Sequence, residues 1–210
     1  MTMLLHRTAT AAAGFALALL AAPALAAAPA PMEFTVLKDG KPIGEETYTF
    51  SEAPNGALTV EVETRTDVQV LFLKFHYRHQ RTEVWEDGVL TRMTAKTDDD
   101  GEPHKIALAR EDGGYRVEAD GAIRREAPDV LPLTLWTPKV LEHDRVLSII
   151  DAEPYAVEVE EAGTETLDGE EAVKYEMSGD IDRDLWYSPD GQLLKVQFTR
   201  SGYNIEYVRR

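Results

Sequence analysis

His76 and His79 are the closest pair of histidines in the sequence, three residues apart in a stretch that alternates in character. Two ligands to one ion on a β-strand sit at i and i+2. A spacing of three puts the imidazoles on opposite faces. Their neighbours Tyr77, Arg78 and Arg81 add no ligand, and His104 and His143 are far along the chain, so no zinc set forms and no metal is expected. Asp180, Asp182 and Asp184 open like a calcium loop, which needs Gly at its sixth position and a bidentate Glu at its twelfth. Those positions hold Leu185 and Gly191, and the run reads as an acidic turn. Asp98, Asp99 and Asp100 before Gly101 lack the rest of the pattern in the same way. None of Ser51, Ser148, Ser178, Ser188 and Ser201 sits in a G-x-S-x-G elbow. Dinucleotide and P-loop motifs are absent too, so no cofactor and no catalytic residue is expected. With 38 Asp and Glu in the chain, some carboxylates must lie close together, and such pairs alone do not indicate glycoside hydrolysis.

The 210 residues carry a net charge of -16 and no Cys. A pI near 4.7 leaves no basic surface to follow phosphates, which excludes nucleic acid as a partner. The absence of Cys excludes disulfides, thiolate zinc, iron–sulfur clusters and thiol catalysis. Residues 1–26 differ from the rest: a weakly basic start at His6 and Arg7, an uncharged run from Ala11 to Ala22, then Pro23 and the small–x–small triplet Ala24-Leu25-Ala26. That is the form of a cleaved signal peptide, and the apolar run is short of the roughly 20 residues that span a bilayer. The expected product is a single exported β domain, residues 27–210, periplasmic where the cell has two membranes. It is not a lipoprotein, because no Cys follows the cleavage site, and it has no stable membrane insertion.

Eight of the 14 Gly follow Asp or Asn, at Asp39, Asn55, Asp87, Asp100, Asp112, Asp120, Asp168 and Asp190. These dipeptides suit the positive φ angles of tight hairpin turns. Between them the chain alternates as strands do. Leu58, Val60, Val62, Val68, Val70 and Phe72 share one phase with Thr64 and Thr66, and charged residues fill the other. A strand from Leu58 to Phe72 and beyond would span about 50 Å at ~3.3 Å a residue, so a strong curve or a break is expected near Leu71–Lys74. The fold class is all-β: a strongly curved antiparallel meander or incomplete β-barrel of about ten strands. One stretch departs from the rhythm. The crossover 127–143 carries Pro128, Pro132 and Pro138 among Val130, Leu131, Leu133, Leu135 and Trp136. Proline is excluded from central strands, so it reads as a loop with a short helical turn around Lys139–Glu142, too apolar for a solvated linker and packed on the sheet.

Lys38-Asp39-Gly40-Lys41-Pro42-Ile43-Gly44, Glu83-Val84-Trp85-Glu86-Asp87-Gly88, Thr97-Asp98-Asp99-Asp100-Gly101 and Trp186-Tyr187-Ser188-Pro189-Asp190-Gly191, followed by Leu193, Leu194 and Phe198, carry a resemblance. Together they resemble an uncharacterised family of exported bacterial β proteins, a domain of unknown function. The Trp-Tyr-x-x-Asp-Gly hairpin is also similar to hairpins of the periplasmic lipoprotein-carrier group. That similarity implies an incomplete barrel around an apolar cavity that accepts acyl chains. Those carriers plug the cavity with helices, whereas this chain offers only the segment near Trp136.

The leading expectation is non-enzymatic binding of an apolar or amphipathic, lipid-like ligand in the concave face. The expected lining is Leu58, Val60, Val62, Val68, Val70 and Phe72, plus Trp186 and Trp136, the latter on the crossover where a lid would sit. Aromatic and apolar linings are usual for barrel-mouth ligand cavities, and they are also how a plain core is filled. The alternative is a partner-binding accessory domain of the cell envelope, using a sheet edge or the acidic surface around Glu158–Glu171. An unrecognised hydrolase, its triad assembled only in space, is third.

Overall fold

The computed structural model describes residues 28–70 and 72–210, without the Val70 side chain. The expected signal peptide 1–26, Ala27 and Leu71 lie outside the described residues. The strands are β1 (Met32–Lys38), β2 (Lys41–Glu52), β3 (Leu58–Val70), β4 (Leu73–Glu86), β5 (Val89–Asp99), β6 (Glu102–Glu111), β7 (Gly114–Ala119) and β8 (Ala122–Glu126). They continue as β9 (Leu131–Pro132), β10 (Arg145–Leu147), β11 (Pro154–Leu167), β12 (Glu170–Gly179), β13 (Arg183–Tyr187), β14 (Leu193–Arg200) and β15 (Tyr203–Arg209). All fifteen belong to one sheet, in the order β8-β7-β6-β5-β4-β3-β2-β1-β15-β14-β13-β12-β11-β10-β9.

Turn chemistry accounts for the meander. At Asp39-Gly40, Asp87-Gly88, Asp100-Gly101, Asp120-Gly121 and Asp168-Gly169 both residues have positive φ, the two-residue turn whose twist matches that of the flanking strands. Ser201-Gly202 makes a further turn of this kind without the Asp or Asn that marks the others. The long strand expected past Leu58 breaks instead of curving. β3 ends at Val70 and β4 starts at Leu73, paired back as far as Val70↔Leu73.

The sheet must curl, by simple arithmetic. Fifteen strands about 4.8 Å apart would make a flat sheet roughly 65–70 Å wide. Its two edge strands, β8 and β9, are joined only by residues 127–130, a reach of about 17 Å. The edges are also tied by side chains. The buried Glu126 carboxylate accepts from Arg124 Nε at 2.8 Å and Arg145 Nη2 at 3.1 Å, and Arg124 donates to the Ala152 carbonyl.

Residues 127–153 form the last two strands of the sheet and turn their apolar side chains into its inside. Val130, Leu131, Leu133, Val140, Val146 and Leu147 are buried in the main core with Phe34, Val60, Trp85, Leu90 and Leu185. The expected helical turn is present as a 3-10 helix, Pro138–Glu142, capped by Thr137. The strand count of about ten is corrected to fifteen. The strands most easily overlooked are the edges: β8, Ala-Ile-Arg-Arg-Glu, has no clear alternation, and β9 contains Pro132, tolerated because an edge strand has one unpaired side. β9 also pairs in parallel with β10, the exception to an otherwise antiparallel sheet.

At Gly44 there is no room for a side chain between β2 and β3. A Cβ there would overlap the Arg65 carbonyl oxygen and crowd Thr66 on β3. Its φ is not in the left-handed region, so space rather than backbone freedom demands glycine. Gly44→Ala is expected to lower stability by about 1–3 kcal/mol, read as a lower urea midpoint; an unchanged midpoint would show that β2 and β3 can separate there freely.

Candidate functional site

Two adjoining spaces open at one end of the curled sheet. The outer one, about 450 Å³, carries the charged Lys38, Asp99, Asp100 and Arg200 on its wall, and its apolar lining includes Val36, Ile43, Val68, Phe198, Ile205 and Tyr207. These come from β1, β2, β3, β14 and β15, the strands at the middle of the sheet. The alternation of each strand explains the lining: Val36 follows Phe34 inward, and Ile205 and Tyr207 share the phase of Tyr203. The rim carries exposed apolar residues at the β3–β4 turn: Phe72 is 86% exposed, Leu73 55% and Phe75 41%. The inner space, about 260 Å³, lies deeper and shares Tyr77, Phe198, Arg200 and Tyr207 with the outer one. Its further lining includes Glu46, Tyr48, Arg81, Leu133, Leu135 and Arg183.

Beside the inner space runs a buried polar row along β4. His79, Arg81 and Glu83 take consecutive inward positions and are almost wholly buried. Arg81 Nε donates to Glu83 Oε1 at 2.7 Å, and Thr134 Oγ1 donates to the same oxygen at 2.8 Å. Trp85 Nε1 and Trp136 Nε1 each donate to Glu83 Oε2 at 2.9 Å. Four donors fill the roughly four lone-pair positions of the carboxylate. Arg81 Nη1 faces His79 Nε2 at 3.1 Å, and His79 Nδ1 faces Thr97 Oγ1 at 2.9 Å. A guanidinium only donates, so Nε2 accepts, the proton sits on Nδ1, and Thr97 receives it. Burial, with the Arg81 charge, pulls the His79 pKa down to about 3, and the imidazole is neutral. Burial also works against the Arg81 charge, but Glu83, Tyr48 and Glu46 more than offset it and hold its pKa up.

Glu46, across the inner space, accepts from Tyr48 Oη at 2.6 Å and Thr64 Oγ1 at 2.7 Å. Burial nevertheless raises its pKa above the ordinary carboxylate value. Arg183, inward on β13, lies over the Phe198 ring at 4.1 Å. Its Nε is buried without a hydrogen-bond partner among the described residues.

The domain of unknown function DUF6134 matches residues 34–210, from the first strand to the last residue. The chain belongs to the DUF6134 family. This bears out the resemblance to an uncharacterised β family carried by the hairpin motifs. Among curated proteins none matches it. A similar solved structure is the crystal structure of a beta-barrel-like protein of domain of unknown function DUF1849 from Brucella abortus, at a TM-score of 0.65. The two share 11% identity, with 89% of this chain and 98% of that one covered. At that identity the likeness bears on the fold, which is all-β, curled and open in this DUF6134 chain.

The DUF6134 structure divides the expected ligand face. Val60 and Val62 are buried in the filled core, and Leu58 packs against it. Val68 lines the outer cavity, Phe72 is exposed in the β3–β4 turn and is not among the cavity's lining residues, and the Val70 side chain lies outside the described residues. Trp136 is no lid: it is fixed inside, edge-on to Phe50 and Trp85 at 5.4 Å each and bonded to Glu83. Trp186 faces the other way from Leu185 and Tyr187, packs with Ala172 and Leu194, and lies under Lys174 and Lys195. It is on the outer face and lines neither cavity. His76 and His79 do take opposite faces, with the His76 ring beside Asp98 and Asp100. Sequence reasoning missed Tyr77, Arg81, Glu83 and Arg183 as lining or buried groups. The available signal was phase: on β4 the aromatic positions 75, 77 and 85 share parity with 79, 81 and 83.

Proposed function

We propose that this protein holds an apolar or amphipathic, lipid-like ligand at the mouth of its curled sheet, after export directed by residues 1–26. The observation that carries this reading is the outer cavity. Its 450 Å³ is within the range of small-molecule sites, and its walls are mainly aliphatic and aromatic. The exposed Phe72, Leu73 and Phe75 beside it form an apolar approach that a folded chain has no internal reason to keep in water. A tail entering past them would exchange water for Ile43, Val68 and Ile205 at a gain of about 0.8 kcal/mol per buried CH₂.

The test is native mass spectrometry of the protein purified without detergent, with titration of a neutral fluorescent amphiphile. Saturable, one-to-one uptake is expected, and Ile205→Trp, which fills the cavity, is expected to weaken it at least tenfold while the melting curve stays cooperative. Uptake that survives Ile205→Trp unchanged, or no uptake at all, would overturn the reading and turn attention to the Phe72 tip as a protein-docking surface.

A further inference from the structure

We propose that the ligand is a single-chain amphiphile with a singly charged anionic head group, and that Arg183 binds that head group in the inner space while the tail occupies the outer one. This rests on the ligand-binding reading above and names the chemistry of what is bound.

The charges around the inner space are unbalanced in the direction opposite to the whole protein. The chain carries a net charge of -16, yet three arginines, 81, 183 and 200, line this space against one carboxylate, Glu46. Two of the three are committed. Arg81 is paired with Glu83 at 2.7 Å, and Arg200 with Asp99 at 2.6 Å. Arg183 is not: among the described residues no carboxylate lies within ion-pair distance of it. The acidic residues that flank it in sequence do not serve. Asp184 is held by Lys174, Asp180 accepts from the Ala156 backbone, and Asp182, exposed beside Arg183 in the chain, makes no ion pair with it. Around the guanidinium lie the Phe198 ring and the phenols of Tyr77, Tyr155 and Tyr207, with Glu46 near enough to feel its charge but outside ion-pair distance. Burial, with the Arg200 charge acting in the same direction, depresses the Arg183 pKa from its ordinary value.

A guanidinium presents five N–H donors in a planar fork that fits the two oxygens of a carboxylate or phosphodiester. A ring beneath it satisfies its charge in part but takes none of those hydrogen bonds. An entering monoanion would meet the open N–H groups at the foot of the cavity. Glu46 sets the upper limit on the charge, since a dianionic head would face a second negative group across the same small space. The apolar walls toward the rim then fix the polarity of the ligand: head inward, tail toward Phe72 and Phe75.

The experiment measures displacement of the neutral probe at pH 8 by hexadecanoate, hexadecanol, hexadecyltrimethylammonium and lysophosphatidylglycerol, on wild type, Arg183→Met and Arg183→Lys. Wild type is expected to bind hexadecanoate at least tenfold tighter than hexadecanol and to reject the ammonium compound. Arg183→Met is expected to bring the acid-to-alcohol ratio to about one while hexadecanol affinity is kept. Arg183→Lys, which keeps the charge but loses the fork, should retain an intermediate preference. Preference for lysophosphatidylglycerol over hexadecanoate would assign the head group as a phosphodiester, and the reverse as a carboxylate. Equal binding of acid and alcohol by wild type, or a preference that survives Arg183→Met, overturns the inference while leaving the cavity reading standing. Binding of neither overturns both. Should Arg183→Met fail to fold, the wild-type ratio and the Arg183→Lys variant decide alone.

Discussion

Glu83→Ala is expected to destabilise the protein by about 3–5 kcal/mol, the usual cost of removing one partner of a buried ion pair. Glu83 is 0% exposed, and its carboxylate is the common acceptor for Arg81, Thr134, Trp85 and Trp136. Truncation would strand a buried guanidinium and three neutral donors at once. It would also release the inner segment: Thr134 and Trp136 belong to it, whereas Arg81 and Trp85 belong to the sheet. The double variant Arg81→Met/Glu83→Leu is expected to recover much of the loss, because an apolar pair strands no charge. Urea unfolding of the two variants checks this. A loss below about 1 kcal/mol for Glu83→Ala would mean that water enters and replaces the carboxylate.

The second large effect is a pH dependence that belongs to His79. Its pKa falls from about 6.5 in the unfolded chain to about 3 in the folded one. Between those values the unfolded chain binds a proton that the folded chain refuses. Stability contributed by the neutral imidazole is therefore present above pH 6.5 and lost as pH falls toward 3, at about 1.4 kcal/mol per pH unit. Glu46 acts in the opposite sense, since its raised pKa favours the folded state on acidification. Comparison with His79→Gln removes that term. The stability difference between wild type and His79→Gln is expected to shift by about 2–3 kcal/mol against wild type from pH 7.5 to 4.5. Parallel curves for the two proteins would show that His79 titrates normally and that its side chain reaches water.

Much of the fold was legible because this chain writes its turns plainly. Asp87-Gly88 between two alternating stretches implies the β4–β5 hairpin, and the turn sets the register as far as Trp85↔Leu90, beyond which a bulge at Val84/Trp85 shifts it by one residue. The edges were less legible. Pro132 argues against a strand anywhere but at an edge, and nothing local says where the edge of a sheet will fall. The ligand face was misplaced for a physical reason too. Leu58 to Val68 has a clear inward phase, but phase alone does not say whether another segment fills the space it faces, and residues 127–153 fill most of it. At Leu185-Trp186-Tyr187 three large apolar residues run together, so neither phase is favoured by composition; the register shift between Trp186 and Tyr187 completes the ambiguity. On β4, polar residues occupy both phases, which hid the inward row of His79, Arg81 and Glu83.

The meeting of β1 with β15 sets how this chain can acquire its structure. Thr35 and Arg210, 175 residues apart, touch across the centre of the sheet, and Phe34 pairs with Arg209. β15, which follows β14 in the chain, is thus an inner rung flanked by β1 and β14, and two strand edges stay bare until it pairs. Loop closure over that separation makes the contact order high and folding slow. Until β15 arrives, β1 and β14 are templates for foreign strands. Removal of β15 should therefore yield aggregation rather than a smaller folded protein.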